Sequence, residues 1–185
     1  MLKDLPYQHG GMNVPASDGR FLYDLIRKKA YERGLEIGTS NGYSGLWLGS
    51  ALQANSGKLI TIEIEPERAR EARENFRRAG LDEVIDSRIN DALREVALLE
   101  DDFDFVFIDA WKPDYFRYLE AVFPRVEVGG AITAHNVISQ ANDMRDFLQA
   151  IRSHPELETE ILETSTEGLS VSFRKEPWPG VRAKQ

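Results

Sequence analysis

The chain has 185 residues, of which 42% are hydrophobic and 29% are charged, and its formal net charge is -8. This length and composition correspond to one domain with its own core, which excludes disordered, collagen-like and low-complexity proteins. The acidic balance disfavours a protein that coats nucleic acid or an anionic membrane. Because the chain has no cysteine, disulfides, thiolate metal sites and cysteine nucleophiles are also excluded.

Apolar runs alternate with helical patterns along most of the chain. A first helix is expected to start at Pro15, and strands are expected at 35–37, 58–65, 84–89, 103–108 and 131–134. Helices separate these strands, and the sixth is expected over 139–152. The last two strand-like runs, 157–163 and 169–173, predict a hairpin. We expect one domain over 1–175, with an irregular arm at 1–11 and a loose tail at 176–185.

Five strands that alternate with helices predict an α/β fold, in which a parallel sheet carries helices on both faces. Ligands of such sheets bind beyond the carboxyl ends of the strands. The sequence therefore directs attention to the residues that end each strand. These are residues 36–38, Glu63, residues 90–91, Asp109 and residues 135–136.

The loop from Glu36 to Gly42 predicts a site for a nucleoside cofactor. Its glycines, Gly38 and Gly42, allow the backbone to approach a ligand closely. The loop lacks the G-x-G-x-x-G spacing of dinucleotide sites and the lysine of a P-loop. It begins with an acid, which suits a ligand ammonium, and Glu63 stands where a carboxylate can accept two ribose hydroxyls. These features favour S-adenosylmethionine over NAD.

Six segments carry a resemblance to a known family. They are GMNV (11–14), LEIGTSNGYS (35–44), LITIEIEP (59–66), NDAL (90–93), FIDAWKPDY (107–115) and AHNV (134–137). Between about Met12 and Phe173 the chain resembles the class I S-adenosylmethionine-dependent methyltransferases, and more narrowly the catechol and caffeoyl-CoA O-methyltransferases. The resemblance implies a Rossmann-like methyltransferase fold, with a seven-stranded, mostly parallel sheet in the order 3-2-1-4-5-7-6 and the last strand antiparallel.

The resemblance also implies which residues bind the cofactor. Glu63 would hold the ribose, and Asp109 would also contact the cofactor. The methionine part would be surrounded by Val14, Glu36, Gly38, Ser40 and Ser44. The adenine would be framed by Asp91, Ala92 and Trp111.

The family activates the acceptor hydroxyl with a divalent cation and a lysine base. By resemblance, Lys112 is the lysine, and the metal ligands are Asp109, His135 and Asn136, with catalytic roles for Lys112, Asp109 and His135. His135 stands where the family has an aspartate, and this ligand set suits Mn²⁺, Fe²⁺, Ni²⁺ or Zn²⁺ better than Mg²⁺. The alternative is that no metal binds and that His135 acts as a general base.

These observations predict an S-adenosylmethionine-dependent O-methyltransferase that acts on a small catechol-like or phenolic hydroxyl. Two alternatives stay open: methylation of a tRNA hydroxyuridine, which the negative charge disfavours, and a non-catalytic protein that binds S-adenosylmethionine as a scaffold. A NAD-dependent dehydrogenase is a more distant alternative. We expect a cytoplasmic homodimer without membrane contact. Because only about 35 residues precede the glycine loop, the site should be open, or covered by a partner subunit or by the arm that contains Tyr7 and His9.

Overall fold

The computed structural model describes residues 13–177, in which helices and strands alternate. The helices are α1 (Ala16–Lys29), α2 (Tyr43–Gln53), α3 (Pro66–Ala79), α4 (Ala92–Leu98), α5 (Tyr115–Val122) and α6 (Arg145–Ser153). The strands are β1 (Arg33–Ile37), β2 (Lys58–Glu63), β3 (Ile85–Ile89), β4 (Phe103–Ile108), β5 (Val126–His135), β6 (Leu157–Leu162) and β7 (Leu169–Arg174). The predicted arm, with Tyr7 and His9, and all but the start of the predicted tail lie outside the described residues.

The seven strands form one sheet in the order β3-β2-β1-β4-β5-β7-β6. Strands β1 to β5 run parallel to one another. Strand β7 runs antiparallel to both of its neighbours, β5 and β6. The predicted α/β architecture, the strand order and the final antiparallel strand are therefore confirmed.

Helices cover both faces of the sheet. Apolar stripes of α1, α2 and α3, which include Leu22, Leu48 and Phe76, pack in one core cluster. The second cluster, on the opposite face, contains residues of α4, α5 and α6, among them Leu119 and Phe147. Since both faces are covered, the central strand β4 is apolar along nearly its whole length, as a strand without a solvent-facing side must be.

Local signals set several element ends. Helix α3 begins at Pro66, and Gly80 ends it in a left-handed conformation with φ of 70°. Asp91 caps α4 by accepting a hydrogen bond from the Arg94 amide at 3.0 Å. None of the helices within residues 13–177 is long and apolar enough to cross a membrane.

Two boundaries differ from the sequence prediction around β5. The strand extends from Val126 to His135, whereas the prediction covered 131–134. The following helix begins at Arg145 rather than near residue 139, after a short 3-10 turn at Ala141–Met144. The reason is tertiary: the amides of Ile138 and Ser139 donate to the Glu167 carbonyl in the β6–β7 loop, so this segment docks on the hairpin instead of forming a helix.

Candidate functional site

The parallel register brings the predicted strand-end residues to one edge of the sheet. Ile37 pairs with Ile62 and with Ile108, and Ile108 pairs with Ala134. The residues that follow these four positions are Gly38, Glu63, Asp109 and His135. Residues scattered over about half of the chain therefore form the floor of one site.

A cleft of about 1410 Å³ opens at this edge. All of the predicted site residues except Glu36 line it. Those lining the cleft are Val14, Gly38, Ser40, Ser44, Glu63, Asp91, Ala92, Asp109, Trp111, Lys112, His135 and Asn136. A single pocket thus contains both the predicted cofactor residues and the predicted catalytic residues.

The glycine loop between β1 and α2 lies tightly against the backbone that follows β4. Gly38 has φ of +100°, and a Cβ atom there would lie 2.2 Å from the carbonyl oxygen of Asp109. Gly42 has φ of +87°, and a Cβ atom there would lie 2.7 Å from the Phe76 ring. Neither position has room for a side chain, and both φ values are in the range that favours glycine.

Glu63 ties the glycine loop to the end of β2. Its Oε2 accepts a hydrogen bond from the Ser40 amide at 2.7 Å, and its Oε1 accepts one from the Glu65 amide at 2.9 Å. The side chain lines the cleft although the residue is only 7% exposed. A carboxylate has about four lone-pair positions. Glu63 can therefore keep both of these bonds and still accept hydrogen bonds from a vicinal diol.

Glu36, to which the resemblance assigns a cofactor role, is the one predicted site residue that does not line the cleft. It is fully buried beneath the loop, and Thr61 Oγ1 donates to its Oε2 at 2.6 Å. Burial raises the pKa of Glu36 from 4.5 to about 7, although the hydroxyls of Ser44 and Thr61 oppose the shift. Thr61 lies opposite Glu36 in the neighbouring strand β2, so the carboxyl group lies against this strand beneath the loop.

Trp111 and Asp91 lie on the side of the cleft formed by β4 and α4. Trp111 is 69% exposed, although it is a large aromatic residue that usually contributes to a core. The Asp91 carboxylate caps α4, and Ala92 follows it in the first turn of that helix. Since these residues line the cleft, Trp111 offers a flat apolar surface to a ligand there.

Four charged or titratable side chains form a connected network on the side of the cleft where β4 and β5 end. Lys112 Nζ lies 2.7 Å from Asp109 Oδ1 and 3.0 Å from the Tyr115 hydroxyl. His135 Nδ1 lies 3.4 Å from Asp109 Oδ2. His135 Nε2 lies 3.0 Å from Oδ2 of Asp18, a fully buried residue in the first turn of α1. The network therefore runs Lys112–Asp109–His135–Asp18 from the cleft into the protein.

The network shifts the pKa values of its members. Burial alone would raise the pKa of Asp109, but the hydrogen bond from His135 and the charge of Lys112 outweigh it, so this pKa is lowered. Burial alone would lower the pKa of His135, but Asp109 and Asp18 outweigh it and raise this pKa above 6.5. Burial also raises the pKa of Tyr115 well above 10.0, so its hydroxyl stays neutral. The hydrogen bond from His135 and the charge of Lys112 thus favour the ionised form of Asp109.

Asp18 is a site residue that the sequence analysis missed. One signal was available: Asp18 stands four residues before Leu22 and seven before Leu25, on the apolar stripe of α1. An acid on the buried face of a helix needs a partner. The partner, 117 residues away, is visible only in the folded chain.

The three predicted metal ligands are arranged in a way that does not fit a divalent cation. Both ring nitrogens of His135 face carboxylates, and each oxygen of Asp109 faces a neighbouring side chain, Lys112 or His135. The Asn136 amide donates to Glu167 Oε2 at 2.7 Å. Within residues 13–177, no group of three or more His, Asp or Glu side chains is arranged to hold a metal ion. In this structure the three predicted ligands instead bond to one another or to neighbouring side chains.

Comparisons with known proteins point to one family. A model of a family described as O-methyltransferase matches residues 3–152. The chain is 37% identical over 131 residues to a catechol O-methyltransferase of Niastella koreensis, a match that covers 69% of this chain and 59% of that protein. It is 32% identical over 163 residues to a catechol O-methyltransferase of Mycobacterium tuberculosis, a match that covers 82% of this chain and 74% of that protein. The chain thus spans about three fifths of the first relative's length.

Solved structures show the same fold. An O-methyltransferase from Bacillus cereus in complex with S-adenosylhomocysteine superposes with a TM-score of 0.83 at 28% identity, covering 89% of this chain and 84% of that one. The O-methyltransferase TomG from Streptomyces achromogenes, in complex with S-adenosylmethionine, gives a TM-score of 0.84 at 26% identity. This match covers 92% of this chain and 85% of that one.

Proposed function

This chain belongs to the O-methyltransferase family, and we propose that it transfers the methyl group of S-adenosylmethionine to a hydroxyl of a small catechol-like or phenolic acceptor. The family resemblance expected from the sequence is thereby confirmed. One observation carries the proposal: the glycine loop with Glu63 and the Lys112–Asp109 ion pair line the same cleft. The names of the two bacterial relatives support a catechol-like acceptor.

The residues of the cleft fit S-adenosylmethionine by their chemistry. We propose that Glu63 accepts the ribose hydroxyls, and that Trp111 and Ala92 enclose the adenine. Ser40 and Ser44 offer polar groups to the methionine part, close to Val14. When bound, this cofactor supplies a methyl group that a sulfonium makes electrophilic. The chain's task is to hold that methyl group in line with the acceptor oxygen, which can supply several kcal/mol of rate acceleration.

The acceptor hydroxyl must lose its proton during the transfer. A phenol with a pKa of ~10 is mostly neutral at pH 7. We propose that the hydroxyl lies beside Lys112, the lysine to which the resemblance assigns the role of base, and that its uncharged amine accepts the proton while Asp109 holds the side chain in place. The oxygen–methyl bond then forms as the methyl–sulfur bond breaks, and the products are a methyl ether and S-adenosylhomocysteine.

Calorimetry and a methyl-transfer assay with catechol test this function. Lys112→Met should lower kcat by about 10²- to 10⁴-fold, the usual contribution of proton-transfer groups, and leave the affinity for S-adenosylhomocysteine unchanged. Lys28→Met, at an exposed position of α1, is the matched control and should leave both unchanged. Absence of cofactor binding in the unaltered protein would refute the proposal. Methylation of tRNA with no activity on phenols would refute its acceptor part.

We also propose, by analogy with the family, that the protein is a homodimer and acts in the cytoplasm. Light scattering at micromolar concentration tests the dimer. A mass of about twice the 21.0 kDa of the chain would support it, and a monomer mass would refute it.

A further inference from the structure

Asp18 is a fully buried carboxylate whose bonds are all made within the chain. Its Oδ2 accepts a hydrogen bond from Ser165 at 2.6 Å and lies 3.0 Å from His135 Nε2, and Ser17 lies 3.3 Å from its Oδ1. Aspartates are almost never fully buried unless they are paired, because the loss of hydration costs several kcal/mol. Asp18 in α1 therefore depends on its contact with His135, at the end of β5, to be buried as a carboxylate.

The position of His135 between two carboxylates decides what its ring can do. Asp18 faces Nε2 and Asp109 faces Nδ1, and both carboxylates accept hydrogen bonds. A histidine that binds a metal must instead direct a free nitrogen lone pair at the ion. When both ring nitrogens donate to these carboxylates, the ring has no lone pair left for an ion.

The other two predicted ligands also have partners. Lys112 Nζ lies 2.7 Å from Asp109 Oδ1, so this carboxylate is already paired with a cationic group. Asn136 Nδ2 donates to Glu167 Oε2, and the Ser139 hydroxyl donates to the same oxygen, which fixes the orientation of the Asn136 amide. Each predicted ligand thus has a partner from a different part of the fold: α1, the β4–α5 connection or the β6–β7 loop.

We propose that Asp18 is a positioning residue that holds His135 between two carboxylates, and that the Asp18–His135 pair takes the place of the divalent cation which the family resemblance implies. The pair fixes the orientation of Asp109, and Asp109 in turn fixes Lys112 beside the acceptor oxygen. Methyl transfer by this chain is therefore independent of added metal. The inference rests on the proposed function for its kinetic part, whereas its metal-binding part stands without it.

The first test measures metal binding directly, by calorimetric titration of the chelator-treated protein with Mn²⁺. The unaltered protein should show no binding with a Kd below about 1 mM, and its activity on catechol should be the same in EDTA and in Mn²⁺. His135→Asp restores the acid of the family and places a third carboxylate beside Asp18 and Asp109. This variant should gain Mn²⁺ binding by at least about tenfold. Submillimolar binding by the unaltered protein, or no gain in the variant, would overturn the proposal.

The second test separates positioning from mere support of the fold. Asp18→Ala removes the acceptor for Nε2 and should lower kcat by about 10- to 100-fold, as loss of such supporting partners does elsewhere, with KM for both substrates little changed. Asp18→Asn keeps an acceptor oxygen and should recover most of kcat. Asp24→Asn, an exposed residue of the same helix, is the matched control and should behave like the unaltered protein. Equal kcat in Asp18→Ala and the control would overturn the positioning role.

The two parts of the experiment fail independently. If no phenol is methylated although S-adenosylhomocysteine binds, the proposed acceptor is wrong, and the Mn²⁺ titrations still decide whether a cation is excluded. If Asp18→Ala does not fold, the titrations of the unaltered protein and of His135→Asp remain decisive.

Discussion

Replacement of the buried Glu36 by glutamine should change how the stability of the protein depends on pH. Burial raises the pKa of Glu36 from 4.5 to about 7 in the folded chain. Between these two values the folded protein keeps a proton that the unfolded chain has lost. Stability must therefore fall as the pH rises through this window, because ionisation of the buried carboxyl is unfavourable. Glutamine carries no proton to lose, so this contribution disappears in the variant.

The size of the effect follows from the two pKa values. Integrated between pH 5 and pH 8, a shift from 4.5 to about 7 corresponds to roughly 2–3 kcal/mol of unfolding free energy. The free energy of unfolding of Glu36→Gln, minus that of the unaltered protein, should thus increase by roughly 2–3 kcal/mol over this range. The absolute difference at one pH also contains the cost of a buried amide that lacks partners, so the change with pH is the quantity to compare.

Urea unfolding followed by circular dichroism at pH 5, 6, 7 and 8 measures this difference, since all other titrating groups are common to both proteins. Glu95→Gln is a control that should stay nearly flat from pH 5 to pH 8, because hydrogen bonds from Asn90 and Arg88 lower the pKa of Glu95 from 4.5 and its contribution changes only at lower pH. The stability that Glu95 contributes is present above its unfolded pKa and is lost as the pH falls through its folded pKa. A difference for Glu36→Gln that stays flat from pH 5 to pH 8 would refute a neutral buried carboxyl.

Three further changes test the cleft. Glu63→Gln should weaken S-adenosylhomocysteine binding about 10- to 100-fold in calorimetry, because a hydrogen bond to a charged group contributes about 1.5–3 kcal/mol; unchanged affinity would show that Glu63 does not contact the ribose. Gly38→Ala should destabilise the protein by more than about 1–3 kcal/mol, since its Cβ would overlap the Asp109 carbonyl at an already strained φ. Gly80→Ala is its control, because φ is similar there but nothing lies within 4 Å of the added Cβ, and equal losses would contradict the overlap. Trp111→Ala should weaken cofactor binding without lowering the melting temperature, because the side chain is 69% exposed; a large fall in melting temperature would contradict a ligand-facing role.

The alternation of elements was predictable because it depends on local chemistry. Pro66 and Gly80 delimit α3, Asp91 caps α4, and the apolar run 103–108 predicts a strand covered on both faces. Such signals act within a few residues, so they can be recognised without knowledge of the rest of the fold. The boundary after His135 was predicted wrongly because it depends on contacts with the β6–β7 loop, about 30 residues further along the chain.

The residues of the cleft were also predictable in large part. In a parallel sheet the carboxyl ends of the strands meet at one edge, so residues that end strands are expected to lie together. The structure confirms the predicted location of these residues, since one cleft is lined by Gly38, Glu63, Asp109 and His135. Their roles in catalysis and binding remain proposals that the experiments above test.

By itself, the sequence determined the α/β alternation, the glycine loop and the residues that line the cleft, because these follow from periodicity, turn chemistry and the common direction of parallel strands. The tertiary structure alone decided two matters: that Glu36 is buried against Thr61, and that Asp18 reaches His135 across 117 residues of chain. Both depend on which side chain meets which after helices and strands have packed. The presence of an aspartate, a histidine and an asparagine could therefore suggest a metal site, whereas their bonding partners in the folded chain argue against one.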